Sequence, residues 1–329
     1  MRIALLLALS TLSLAACGDS GGQSLSGRLV LVRADGLVER DLSDGNESVL
    51  VATPSGALLI EPSISPDGSK LAYVRQLVPI VVPGGEIELG MDLYLANSDG
   101  TDARLLLEHE RSNDQLRAPT WLPDGERLLI NVQRLENNRI TSELELLDIS
   151  TGERTVVQQD AFRPAVSPDG QRIVYVRQDE NFLQSLWIAN LDGSGEQLLA
   201  GPNDGLGTFN SPRFSPDGAT IAFGAAPPLE QFVRAEAGTE LVSREAVRSG
   251  ATAYNGLPED IWVVGADGSG LRRLVELQID LPSIAWSADG TQIFVLGGTG
   301  LYVIDPVDGS ERLLGEGTFH GQLDWLAAE

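Results

Sequence analysis

Residues 164–176 read PAVSPDGQRIVYV, and this stretch decides the fold because the sequence repeats it. The other copies are PSISPDGSKLAYV (62–74), PTWLPDGERLLIN (119–131), PRFSPDGATIAFG (212–224) and PSIAWSADGTQIFVL (282–296). Each copy places a large apolar residue before a turn, and apolar residues three and five positions after the turn glycine. Proline presets φ in such a turn, aspartate tolerates the next position, and glycine supplies the positive φ that follows. Each copy therefore predicts a β-hairpin.

A second tight turn follows each hairpin and is again flanked by short apolar runs. These turns are NSDG (97–100), ISTG (149–152), NLDG (190–193), GADG (265–268) and PVDG (306–309). Each repeat then holds four antiparallel strands, with short turns between the first and second and between the third and fourth. Four-stranded units repeated along a chain are typical of a β-propeller.

The two ends of the chain complete the pattern. Three strand-like stretches, GRLVLV (27–32), LVERDL (37–42) and SVLVA (48–52), precede the first repeat, and one stretch, GQLDWL (321–326), follows the last. One strand added to three makes a further blade and leaves no unpaired edge. The sequence thus predicts an all-β fold: a six-bladed β-propeller of four-stranded antiparallel blades, closed by the C-terminal strand joining the N-terminal three.

The SPDG repeats resemble those of the TolB-like propeller proteins of the bacterial envelope, and the resemblance covers residues 27–329. Related repeats also occur in the propeller domains of prolyl-oligopeptidase-type peptidases. The resemblance implies a periplasmic location and a role in binding other envelope proteins, with no cofactor.

Residues 1–16 have the layout of a secretory signal, with Arg2 before an apolar run. Leu14-Ala15-Ala16-Cys17 resembles the lipobox of bacterial lipoproteins, which implies that Cys17, the only cysteine of the chain, carries palmitate-type acyl chains. Gly18 after it implies sorting to the outer membrane, on the periplasmic side. Residues 17–26 then form a lipidated, flexible tether, and the propeller spans residues 27–329.

The string GDSGG (18–22) also occurs around the nucleophile of trypsin-like proteases. A serine nucleophile needs a histidine and a rigid site around it, and only the signal precedes Ser20. The tether is therefore the better interpretation.

The chain is strongly acidic, with 47 Asp and Glu against 23 Lys and Arg and a formal charge of −24. Such a surface repels nucleic acid and anionic headgroups and suits a basic partner or divalent cations. Plain solubility remains an alternative explanation.

Candidate binding residues lie on the face opposite the short turns, where the connections are long. Two insertions stand out, at 76–92 and at about 225–259, and long loops in compact domains are often functional. A short helix is expected within the second insertion, from Gly238 to Ser249. The candidates, taken from these insertions and from the start of each first strand, are Val81, Leu241, Val242, Arg117, Arg163, Arg213, Asp114, Asp160, Asp204 and Asp280. A mixed ring of charges could hold a peptide terminus or a cation, or could simply join blades through ion pairs.

Motifs of catalysis are missing from the sequence. It has two histidines and no HExxH, GxSxG, Walker or Cys/His cluster. We expect no catalytic residues, no metal and no cofactor, and a lipid-anchored protein-binding module or scaffold. A cation-dependent carbohydrate-binding or hydrolytic propeller is the alternative, with a small ligand or Ca²⁺ at the same face. A peptidase regulator without its catalytic chain is a third possibility.

Overall fold

A computed structural model describes residues 25–77, 80–81, 87–88, 90–111, 114–136, 139–228, 257–316 and 322–326. These residues form β-strands and one short 3-10 turn, Pro202–Asp204. The strands in chain order are β1 (Arg28–Arg33), β2 (Gly36–Asp41), β3 (Glu47–Ala52), β4 (Ala57–Ile64), β5 (Lys70–Leu77), β6 (Ile80–Val81), β7 (Ile87–Glu88), β8 (Met91–Asn97), β9 (Arg104–Leu107), β10 (Gln115–Trp121), β11 (Arg127–Glu136), β12 (Arg139–Asp148), β13 (Arg154–Gln159), β14 (Phe162–Val166), β15 (Arg172–Gln178), β16 (Gln184–Asn190), β17 (Gln197–Ala200), β18 (Thr208–Phe214), β19 (Thr220–Ala226), β20 (Glu259–Gly265), β21 (Arg272–Ile279), β22 (Ser283–Trp286), β23 (Ile293–Gly297), β24 (Gly300–Ile304), β25 (Glu311–Glu316) and β26 (Leu323–Leu326).

The strands assemble into four-stranded antiparallel units. Four separate sheets have the orders β26-β1-β2-β3, β14-β15-β16-β17, β18-β19-β20-β21 and β22-β23-β24-β25. Two more such units, β4-β5-β8-β9 and β10-β11-β12-β13, are joined by one parallel bridge between Gln115 and Met91. The chain is therefore all-β, as its repeats predict.

Each SPDG stretch forms the predicted turn between the first two strands of a unit. Ser167 shows how: its hydroxyl donates to Asp169 Oδ1 (2.6 Å) and accepts from Arg172 N (2.9 Å). Asp169 also accepts from Gln171 N, and Gly170 has a φ of +70°. The serine and aspartate thus hold the turn from inside, which explains why both recur in the repeats.

The core lies between neighbouring units. The second strand of each unit is buried on both faces, because its sheet packs against a sheet on either side; Ile173, Val174 and Tyr175 of β15 are fully buried. One hydrophobic cluster joins the β14 and β18 units and includes Phe209 and Phe223. Similar clusters fill the other junctions between successive units.

The first strand of four units contains a bulge at the residue before a proline. Glu61, Ala118, Arg163 and Ser211 each have a positive φ, between 46° and 54°, at the point where the strand register shifts. A bulge turns one side chain away from the alternation of the strand and is frequent beside functional sites. In this fold the four bulges lie within the first strands, between the connection that leads into each strand and the SPDG turn that follows it.

The first strands of the units pack on one another as well. β4 packs on β10, β10 on β14, β14 on β18 and β18 on β22, while β26 packs on both β22 and β4. We call β4, β10, β14, β18, β22 and β26 the inner strands.

Several expectations fall outside the described residues: the signal, Cys17, Leu241, Val242 and the helix over 238–249. Val81 belongs to β6, whose backbone pairs with β7. In the part of the chain that the structure describes, no helix has the length and apolar character needed to cross a membrane.

Candidate functional site

The start of the inner strands, together with the connections that lead into them, forms one face of the molecule, which we call the loop face. The opposite face, at the end of the inner strands, carries the SPDG turns and is the turn face. Charged residues are present on both, but their surroundings differ.

On the loop face, the predicted arginines do not form a single ring. Arg117 is bound across two units, because its Nε and Nη2 donate to Glu61 Oε1 (3.1 and 2.8 Å). Glu61 is 6% exposed and also accepts from Ala118 N through its other oxygen. This pair joins β4 to β10, so Arg117 has a role in assembly of the units.

Arg213 and Asp324 face the space between the inner strands. Burial lowers the pKa of Arg213, and the charges of Asp324 and Glu61 oppose that shift. Burial also raises the pKa of Asp324, against the influence of Arg213 and of the hydrogen bond that Ile64 N donates to its carboxylate (2.7 Å). The structure thus brings together two arginines and two carboxylates from four inner strands: Arg117, Arg213, Glu61 and Asp324.

Arg163 and Asp280 share a second location, a small pocket of about 20 Å³ between the β14, β18 and β22 units. Its lining residues are Arg163, Gln184, Thr208, Asn210, Leu257, Glu259, Asp280 and Leu281. Arg163 donates from Nη1 to Phe209 O (3.0 Å), which holds its guanidinium at the inter-unit junction.

Glu259 is the deepest charged group of this pocket. It is 3% exposed, and Asn210 Nδ2 donates to its Oε1, while Oε2 is buried and accepts no hydrogen bond from the described part of the chain. Burial raises the pKa of Glu259 to about 8, although the charge of Arg163 and the Asn210 hydrogen bond lower it. Asp280 is exposed at the rim, and its charge raises the pKa of Glu259 further.

The remaining predicted aspartates lie apart from the pocket. Asp114 is buried with Oδ2 4.0 Å from Arg134 Nε, in an ion-pair network on the β10 unit. Asp204 accepts from Gly201 N (3.0 Å) and caps its own 3-10 turn. Asp160 is exposed in the link between β13 and β14, where its φ is +52°.

The turn face has a wider groove of about 780 Å³ between the β18 and β22 units. Its arginines are occupied by backbone carbonyls: Arg172 donates to Ala266 O and Gly218 O, and Arg272 donates to Pro306 O. Its turn aspartates are held by their own serines and backbone amides, as Ser167 and Asp169 are. The polar groups of this face therefore serve the turns.

Three acidic residues of the loop face were not among the site residues predicted from the sequence: Glu61, Glu259 and Asp324. For Glu259 a signal existed, since β20 reads EDIWVVG and Glu259 shares the parity of buried Ile261 and Val263. A charge at an inward position of a strand calls for a partner or a ligand. Glu61 and Asp324 gave no comparable signal, because their surroundings come from other units.

Within the described ranges, no group of three or more His, Cys, Asp and Glu side chains is placed to hold a metal ion. His109 is bound to Asp92, with 2.6 Å between Nδ1 and Oδ1, and Arg75 Nη2 lies 3.7 Å from Asp92 Oδ2. The histidine ring packs over Gly90, where a Cβ atom would lie 2.2 Å from the ring.

Comparison with known proteins relates the chain to TolB by fold. No protein-family model matches it. The crystal structure of TolB from Acinetobacter baumannii superposes with a TM-score of 0.65 at 17% identity, covering 92% of this chain and 67% of that one. A protein of Agrobacterium tumefaciens assigned as TolB gives a TM-score of 0.57 at 18% identity, with 89% of each chain covered. The protein therefore has a TolB-like β-propeller fold.

Sequence relatives cover shorter stretches. An uncharacterised protein of Agrobacterium fabrum is 27% identical over 180 residues, which is 50% of this chain and 54% of the relative. The Tol-Pal system protein TolB of Anaeromyxobacter dehalogenans is 32% identical over 112 residues, 33% of this chain and 24% of the relative. The chain thus spans about half or less of these curated relatives.

Proposed function

We propose that this protein is a non-enzymatic, protein-binding propeller of the bacterial cell envelope, and that the loop face is its binding face. One observation carries the proposal: on the turn face the polar groups hold turns together, whereas the loop face has a pocket with a buried carboxylate oxygen that has no partner within the described ranges. Rigid units that hold variable connections at one face suit recognition of another protein. The TolB-like fold and the partial match to a Tol-Pal system protein support the envelope assignment.

The proposed scaffold is a closed ring of six blades. The antiparallel pairing of β26 with β1, Leu29 opposite Trp325, supports closure through the last strand. The packing of β26 on both β22 and β4 supports a ring in which the first and last units are neighbours. A closed ring covers the inner edge of β1 with β26 and fixes the relative positions of the loop-face residues.

A lipid anchor at Cys17 is part of the same proposal. The lipobox-like Leu14-Ala15-Ala16-Cys17 supports it, and an acylated Cys17 would hold the propeller at the periplasmic side of the outer membrane. Each buried CH₂ of an acyl chain adds about 0.8 kcal/mol of membrane affinity, and an anchor raises the local concentration near membrane partners.

The binding proposal is tested by capture from envelope extract. The bait is the full chain with Cys17→Ala, which removes lipid-mediated capture, and it is compared with the same chain carrying a short Gly-Ser turn in place of 229–256. A partner held by the first and lost by the second supports the loop face. A partner held equally by both, or by neither, contradicts the proposed binding face.

The anchor is tested separately by detergent partitioning of the wild-type chain and the Cys17→Ala variant expressed in a Gram-negative host. We expect the wild type in the detergent phase and the variant in the aqueous phase. Unchanged partitioning would show that Cys17 is not the anchor.

A further inference from the structure

The pocket around Glu259 is built to hold a polar group. Like Glu259 Oε2, Thr208 Oγ1 is buried and has no hydrogen-bond partner among the described residues, and both atoms belong to the same pocket. A buried polar atom without a partner is unfavourable, so two in one small pocket point to a ligand that satisfies both.

Room for the Glu259 carboxylate comes from a glycine. A Cβ atom at Gly224 of β19 would lie 2.8 Å from Glu259 Oε2 and 2.2 Å from Pro282 Cγ. The corresponding positions of the other repeats are Val74, Asn131, Val176 and Leu296. Of these five positions, only position 224 is a glycine and leaves space for a carboxylate. The space at Gly224 is a second observation, besides the two buried oxygens described above.

We propose that this pocket binds a primary ammonium group carried on an alkyl stem. The buried floor offers Glu259 Oε2 and Thr208 Oγ1, and the charge of Asp280 lies at the exposed rim. An ammonium group has three N–H donors, two of which can satisfy these two buried oxygens. A volume of about 20 Å³ accommodates a group the size of one water molecule.

The rim distinguishes an alkylammonium from a metal ion. Leu257 and Leu281 line the pocket, and Leu281 is 39% exposed, so methylene groups of a stem have an apolar surface to cover. Ca²⁺ takes six to eight oxygen ligands, whereas an ammonium group donates to three acceptors at most. A lysine side chain and a peptide N-terminus carry the same chemistry, and the test separates them.

Ionisation of Glu259 gives the binding a pH signature. The carboxyl group has a pKa of about 8 in the free protein, with Arg163 and Asp280 as the charged groups around it, and must lose its proton to pair with an ammonium. Affinity should therefore rise about tenfold per pH unit below pH 8 and level off above it.

The test measures binding of small amines to the full chain by calorimetry and does not depend on the proposed envelope partner. The probes are Nα-acetyl-lysine methylamide, which offers a side-chain amine, leucine methylamide, which offers an N-terminal amine, and Nα,Nε-diacetyl-lysine methylamide, which offers neither. KCl and CaCl₂ are measured alongside. We expect one of the two amines to bind, with the stated pH dependence, and the acetylated probe to fail.

Variants locate the site. Glu259→Gln and Thr208→Val should each weaken amine binding at least tenfold, while Glu311→Gln, an exposed glutamate of β25, should leave it unchanged. Thermal unfolding checks that each variant is folded. If Glu259→Gln does not fold, Thr208→Val alone tests the site. Failure of both amines would mean that the pocket holds only water, and displacement by Ca²⁺ or K⁺ would make it a metal site. Equal binding by Glu259→Gln would place any amine elsewhere; each of these results overturns the proposal.

Discussion

At the scale of single residues, the SPDG turn shows how four letters fix a hairpin. In four repeats a serine hydroxyl donates to the turn aspartate: Ser65, Ser167, Ser215 and Ser287. The second repeat has Leu122 at this position, and there Arg127 Nε donates to Asp124 Oδ2 instead (2.8 Å). The aspartate is the constant partner, and these hydrogen bonds lower its pKa, in Asp67 to about 2.

Removal of one buried turn serine should destabilise the protein. Ser167 is 1% exposed, and Ser167→Ala leaves Arg172 N without the hydroxyl that accepts its hydrogen bond. We expect a loss of about 1–3 kcal/mol in the free energy of unfolding, measured by urea titration. Ser194→Ala, in an exposed turn, is the control and should change stability by less than about 0.5 kcal/mol. Equal effects of both substitutions would show that the buried hydroxyl has no special role.

Glu259 predicts a distinct pH dependence of stability. Its pKa rises from 4.5 in the unfolded chain to about 8 in the folded protein, so the folded state retains a proton that the unfolded state loses. The titration of Glu259 does not change the free energy of unfolding below pH 4.5 and lowers it as pH rises from 4.5 to about 8. Above pH 8 the free energy of unfolding is lowered by a constant amount.

The Glu259→Gln variant removes this titration. The free energy of unfolding of the variant, relative to wild type, should increase with pH by roughly 1.4 kcal/mol per unit between about pH 5 and pH 8. Urea unfolding at several pH values measures the difference, and Glu311→Gln should show no such slope. A flat difference for Glu259→Gln would mean that the carboxyl group titrates normally.

At the scale of elements, β26 has few residues and many partners. Trp325 stacks on Phe294 (5.4 Å between ring centroids), and its ring lies where a Cβ atom of Gly27 would be, so Gly27 must remain glycine. Asp324 of the same strand accepts from Ile64 N of β4. The strand therefore contacts β1 and β23 in addition to β4 and β22, its two neighbours among the inner strands.

Deletion of β26 tests the proposed ring closure. Without residues 322–329, β1 has an open edge and Ile64 N loses Asp324. We expect a broad unfolding transition, measured by circular dichroism, and aggregation, measured by light scattering. A chain that ends at Leu326 is the control and should unfold like the wild type. A monomeric, cooperatively folding 1–321 chain would contradict closure through β26.

At the scale of the whole molecule, the charge of −24 sets long-range behaviour. Ion pairs such as Arg33–Glu47 and Arg134–Glu143 engage some of the carboxylates, but acidic residues outnumber basic ones two to one. The excess carboxylates repel one another across the surface, and this repulsion lowers the stability of the folded state.

Added salt should therefore stabilise the protein. The Debye length falls from about 20 Å near 0.02 M salt to about 4 Å near 0.5 M, which screens repulsion between exposed carboxylates. We expect Tm to rise by a few degrees over this range in NaCl, by differential scanning calorimetry, and equally in KCl. A fall in Tm would show that surface ion pairs outweigh the repulsion.

The all-β class, the hairpins and the chemistry of their turns could be predicted from the sequence alone. These depend on neighbours within about ten residues: the SPDG letters, the apolar residues at alternate positions, and the DG turns. The last strand was also predicted, from the stretch GQLDWL (321–326), and it pairs with β1, with Trp325 opposite the buried Leu29.

Only the tertiary structure decided which charges meet. Glu61 and Arg117 are 56 residues apart, and Asp324 binds Ile64 across 260 residues, so no local pattern could pair them. The pocket likewise needs Thr208, Glu259 and Asp280 from three separate strands or links. The physical reason is that burial and electrostatic partners are set by packing between units, whereas turns and strands are set by adjacent residues.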